Sequence, residues 1–136
     1  MFSKSTLVGA LVGFVYLFFS GWFFYNFIAA DFFSQHQLNL TVDISPDMNY
    51  ITFGVLVQAY VISLIYSRWG RGDYRAISGF RMGALIGVFV GLGMNMISLG
   101  TSALIDFEAT VVDGVWRMVN FGIAGTLNGW IFRGFN

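Results

Sequence analysis

The chain has no cysteine, and only one proline and one histidine, in 136 residues. Without cysteine there is no disulfide, no thiolate metal ligand and no thiol nucleophile. His36 alone does not supply a Ser–His–acid or Cys–His set. With Asp31, Asp43 and Asp47 it makes at most a loose cation-binding group in one connection, at no recognised metal spacing. Charge is scarce as well: Asp, Glu, Lys and Arg make up 10% of the chain, against about 25% in an ordinary soluble domain. The net charge of zero gives no reason to expect a nucleic-acid partner. No catalytic residue, cofactor-binding residue or metal ligand is assigned, and no cofactor is expected.

What the chain has is apolar length. Hydrophobic residues make up 57% and the mean hydropathy is +0.71. A soluble domain this small could not cover its surface with so few charges, so much of it must face lipid. Four continuous stretches, about 6–30, 48–67, 82–103 and 111–132, each hold about 20 or more residues, enough for a helix to cross the ~30 Å hydrocarbon core. They do not alternate as barrel strands would. The expected fold is therefore all-α: one polytopic four-helix transmembrane domain over residues 1–136. The first stretch exceeds the ~7–15-residue core of a signal peptide and reads as a retained span.

Charge placement orients the chain. Lys4 precedes the first stretch, Arg68, Arg71, Arg75 and Arg81 crowd the second connection (68–81), and Arg133 follows the last stretch. The first connection (31–47) and the third contain no Lys or Arg and hold Asp31, Asp43, Asp47, Asp106 and Glu108 instead. Basic loops stay on the cytoplasmic side, so both termini are expected inside, in a bacterial inner membrane. Ser45-Pro46-Asp47 supplies helix-start chemistry, and Thr110 with Asp113 a weaker version of it. Arg71-Gly72-Asp73 would lie inside, and the Asn39-Leu40-Thr41 sequon outside.

Gly9-Ala10-Leu11-Val12-Gly13 matches Gly83-Ala84-Leu85-Ile86-Gly87, which raises a parallel repeat of two helices plus two. Gly83, Gly87 and Gly91 share one face of the third stretch, extended by Asn95, Ser98 and Ser102. That face suits close packing inside the bundle or between copies. The fourth stretch has two faces. Gly114, Gly122, Gly125 and Gly129 form a smooth side, and Asp113, Arg117, Asn120, Ala124 and Asn128 a polar stripe about 120° away. Eleven of the twenty residues from Phe14 to Phe33 are aromatic, which suits lipid-facing bulk or a bound ring system.

Gln58, Asn95 and Asn120 fall at similar depth in three stretches, with Arg117 about one turn farther out and Asn26 near the outer end of the first. An arginine inside a membrane costs about 2.5–3.5 kcal/mol and so acquires partners. Asp113 is within i,i+4 reach, with Asp106 and Glu108 as alternatives. Gln58, Asn95, Asp113, Arg117 and Asn120 thus form a candidate polar site. It is either an internal ion pair with interhelical amide bonds, an outward-facing site for a small anion or polar solute, or a contact with lipid headgroups. Gly83, Gly87, Gly91, Gly125 and Gly129 are the candidate packing residues.

Gly21-Trp22 with Tyr25, Asp106 after the third stretch, and Gly125 with Gly129 resemble small uncharacterised four-helix bacterial membrane proteins. That resemblance implies a helical bundle and assigns no activity. The functional expectation is a non-enzymatic subunit that packs in lipid with other membrane proteins or with itself. The alternative is a homo-oligomeric channel or transporter built around Arg117, Asn120, Asn95 and Gln58.

Overall fold

The computed structural model describes residues 3–35, 48–72, 74–101 and 106–135. These are all-helical, with no strand among the described residues. Four long helices run Lys4–Ile28, Met48–Trp69, Ala76–Thr101 and Phe107–Phe135, and a short helix, Ala30–Gln35, follows the first. The first and third are not uniform. Each contains a wide π-helical stretch, Phe24–Ile28 and Val88–Met94 respectively.

Local chemistry sets the ends. Ser3 caps the first helix, its hydroxyl oxygen accepting from the Thr6 amide. Asp106 does the same for the fourth, accepting from the Ala109 amide at 2.9 Å. This corrects the expected Thr110 cap: a carboxylate four residues earlier takes the role, and Thr110 is buried inside the helix with its hydroxyl donating to the Asp106 carbonyl. The third helix begins at Ala76, so Arg81 and part of the expected basic loop are helical. The turn between the second and third helices places Arg71 (φ 49°) and Gly72 (φ 89°) in the left-handed region. The Ser45-Pro46-Asp47 start signal, His36, Asp43 and Asp73 lie outside the described residues.

Three helices, Lys4–Ile28, Met48–Trp69 and Ala76–Thr101, are long and apolar enough to cross a membrane. The fourth is longer than any of them but carries Asp113, Arg117, Asn120 and Asn128. Its position explains the difference. It packs against all three others, and Asp113, Asn120 and Asn128 are buried. A helix enclosed by protein on several sides needs less apolar surface than one that meets lipid.

The third and fourth helices pair antiparallel through glycine. Gly79 meets Gly125, Gly83 meets Phe121, Gly87 meets Arg117 and Met118, Gly91 meets Gly114, and Gly129 meets Arg75, each across main-chain atoms. The five expected packing glycines all lie in this one interface, inside the chain. Ser98, expected to extend the face, is exposed. On the other side Gly9 and Gly13 let the first helix close on Ser63 and Ala59 of the second. The glycine pairs of the matched pentapeptides differ: Gly83 and Gly87 face the fourth helix alone, whereas Gly9 and Gly13 face both the second helix and Asn128 of the fourth. The apolar core is Leu17, Ala59, Ile62, Tyr66, Met82, Phe121, Ala124 and Phe132. Much of the aromatic first helix faces outward, including Phe19, Trp22, Phe23 and Phe27.

Candidate functional site

The two faces of the fourth helix have different partners. Its glycine side lies on the third helix, and its polar stripe lies along the first. The stripe meets the first helix at three levels, at Asp113, Asn120 and Asn128. These are seven and eight residues apart, so successive levels are about 11 Å apart along the axis.

At the first level Asp113, 6% exposed, is a hub. Its Oδ1 accepts a hydrogen bond from the Tyr25 hydroxyl. Its Oδ2 accepts from Asn95 Nδ2 at 2.7 Å and from Arg117 Nε at 2.9 Å. One carboxylate thus ties three helices together. The i,i+4 geometry brings Arg117 onto Asp113, and no other carboxylate pairs with Arg117 among the described residues. The Arg117 side chain remains 34% exposed while that of Asp113 is 8% exposed, so the cluster is closed on its acid side and open on its basic side.

The wide π turns adjoin the same carboxylate. Tyr25 lies within one, and Asn95 directly follows the other. A π stretch accommodates an extra residue in the turn and shifts every following side chain relative to a regular helix. Of the two non-charged donors to Asp113, one lies within such a stretch and the other immediately follows one.

At the second level Asn120, 7% exposed, accepts from the Ser20 hydroxyl at 3.0 Å. Between these levels Phe24 stacks on Trp116, with centroids 4.0 Å apart and planes at 7°. At the third level Asn128 is 1% exposed and donates to the Ala124 carbonyl at 3.0 Å. Its Oδ1 lies over Gly9 and has no hydrogen-bond partner among the described residues. Beside it the Ser63 hydroxyl donates to the Thr6 carbonyl at 2.8 Å.

Of the five expected site residues, Asn95, Asp113 and Arg117 form one cluster and Asn120 a separate contact about two turns toward the C-terminus. Gln58, half-buried on the second helix, joins neither by a hydrogen bond among the described residues. Asn26 donates to the Trp22 carbonyl of its own helix. Tyr25 and Ser20 were missed as partners. The available signal was a phenol and a hydroxyl on a mostly apolar helix, groups that seek an acceptor away from water. No set of three or more His, Asp or Glu side chains converges among the described residues.

Compared with known protein families, with curated proteins and with solved structures, the chain matches none. The functional reading rests on the geometry.

Proposed function

We propose that the chain is a non-enzymatic, four-span membrane subunit, with both termini on the cytoplasmic side of a bacterial inner membrane. In this reading the fourth helix is a polar spine, and the protein packs in lipid as an accessory part of a larger assembly or with copies of itself. The observation that carries it is the use of the fourth helix's polar groups. Asp113 and Asn120 are both occupied by neighbouring helices, which leaves an exterior of large apolar side chains suited to lipid or to other membrane helices. The fourth helix counts as a span because its inward polar stripe, and not an outward one, lowers its hydropathy.

The second reading, a homo-oligomeric conduit for a small polar or anionic solute, has the partial exposure of Arg117 in its favour. The separation of Gln58 from the cluster weighs against a shared amide-lined path. A native mass measurement after gentle detergent extraction tests between them. Co-purifying foreign subunits, or a loose self-association, fit the first reading. A single symmetric oligomer that mediates solute flux in vesicles would replace it with the second.

A further inference from the structure

The geometry points to a phosphate-ester site on the open side of Arg117, at the outer edge of the hydrocarbon layer. This inference rests on the four-span reading above. Three observations meet there. Arg117 contacts Asp113 through Nε alone, not through the two-pronged fork that would occupy its outer edge. Apart from Asp113 and Tyr25, which also hydrogen-bonds the guanidinium, no other side chain engages Arg117 among the described residues. The Asp113 carboxylate is also shared as an acceptor: Tyr25 and Asn95 both donate to it, so Arg117 is one of three donors that divide its oxygens.

Depth selects the ligand. The fourth helix has 29 residues with Phe121 at its midpoint. Side chains on a helix lean toward its N-terminus, and Arg117 reaches back to the level of Asp113, eight residues from that midpoint. That is about 12 Å from the bilayer centre, against a hydrocarbon half-thickness of about 15 Å. The guanidinium therefore stands about 3 Å inside the hydrocarbon edge, beneath the headgroup layer that carries the phospholipid phosphates, with Trp22 and Tyr25 in the same outer zone of the first helix. A planar, permanently charged group with unused N–H bonds matches two oxygens of a phosphate ester. The ester can belong to a lipid headgroup or to a soluble phosphate reaching the site from outside.

The test uses the full chain in bilayer discs of phosphatidylcholine containing phosphatidylglycerol, with retained phospholipid counted by native mass spectrometry. The soluble arm adds glycerol 1-phosphate or inorganic phosphate as competitor. We expect one tightly held phospholipid per chain, with affinity reduced about tenfold in Arg117→Lys, which keeps the charge and loses the planar fork. Asp113→Asn should bind more tightly than the parent, because it removes the nearest negative charge; a purely structural arginine would not give that sign. Displacement of lipid by millimolar glycerol 1-phosphate assigns the same site to a soluble ester, and resistance to it assigns the lipid. Equal retention by parent and Arg117→Lys, with both shown folded by circular dichroism, overturns the site. Flotation with liposomes separates the two levels of inference: failure of the parent to float removes the membrane reading, whereas normal flotation with unchanged retention removes the Arg117 site alone.

Discussion

Gly79 and Gly125 face each other so closely that a Cβ on either would strike the other's carbonyl oxygen. The same holds farther along, where Gly83 lies on the Phe121 carbonyl and Gly91, about two turns beyond it, on that of Gly114. The obstructing atoms are backbone, so no side-chain rotation can relieve an added methyl. The third and fourth helices are held at the distance that two bare backbones allow, and the fourth is thereby fixed as the member that presents Asp113 to the first helix.

A contrast of two alanine substitutions follows. Gly83→Ala should destabilise the bundle by about 1–3 kcal/mol, the range for overpacking a close contact. Gly100→Ala, at a position with nothing within 4 Å of the new methyl, should be neutral or gain about 0.5–1 kcal/mol from reduced backbone freedom. Thermal unfolding in detergent measures both. Equal midpoints for the two variants would show that this interface does not govern stability.

The Asp113–Arg117 pair should behave as a coupled unit. Asp113→Asn or Arg117→Gln alone should cost about 1–3 kcal/mol, less than the ~3–5 for a fully enclosed pair because Arg117 is 34% exposed. The double variant should lose less than the sum of the two. Additive losses in the double-mutant cycle would mean that the two charges do not support each other.

Tyr25 supplies a separate test of the hub. Tyr25→Phe keeps the ring and removes the hydroxyl that donates to Asp113, and should cost about 1.5–3 kcal/mol, the range for a bond to a charged acceptor. In an Asp113→Asn background the same change should cost less. A cost that does not depend on the residue at 113 would locate the effect in ring packing.

Orientation can be read with single cysteines, since the parent has none. Gln35 and Glu108 are exposed at one end of the bundle, and Ile77 is exposed near the other, between Arg75 and Arg81. Cysteines at 35 and 108 should react with an impermeant maleimide in intact cells, and one at 77 only after permeabilisation. The opposite pattern would invert the proposed topology.

Periodicity and apolar length carried the helical fold in the sequence, and the four-residue glycine spacing carried the third-helix interface. The split of the fourth helix into a glycine face and a polar face was also legible, because 3.6 residues per turn sorts its residues without reference to any partner. What each face meets was not legible. Gly125 and Gly129 could have faced another copy; they face Gly79 and Arg75 of the same chain. Equal depth suggested that Gln58, Asn95 and Asn120 would meet, but depth fixes only one coordinate of a side chain. Its rotation about the helix decides the rest, and the π stretch before Asn95 alters that rotation in a way composition does not announce. Tyr25 was hidden by its neighbours, one phenol among many aromatic rings.

At the level of the polar stripe nearest the C-terminus, Asn128 sits in the junction of three helices. Gly9 lies under Asn128 Oδ1, with Ser63 Oγ 2.6 Å from where a Cβ would stand. These are side-chain atoms, unlike the backbone atoms that hem in Gly83. Asn128 is 1% exposed, and its amide nitrogen is engaged by the Ala124 carbonyl one turn earlier, so the side chain has little room to turn away. Gly9→Ala should therefore destabilise the junction of the first, second and fourth helices, by about 1–3 kcal/mol. Asn128→Ala removes the obstruction together with a buried oxygen that has no hydrogen-bond partner among the described residues, and so should cost less than truncation of a fully satisfied amide. Combined, the two changes should be less damaging than their sum, because the new methyl at position 9 occupies space vacated at position 128. Gly21→Ala on the same helix, with nothing within 4 Å, is the control for backbone effects and should not lower the midpoint. Strict additivity of Gly9→Ala and Asn128→Ala would show that these two residues do not share the contact described.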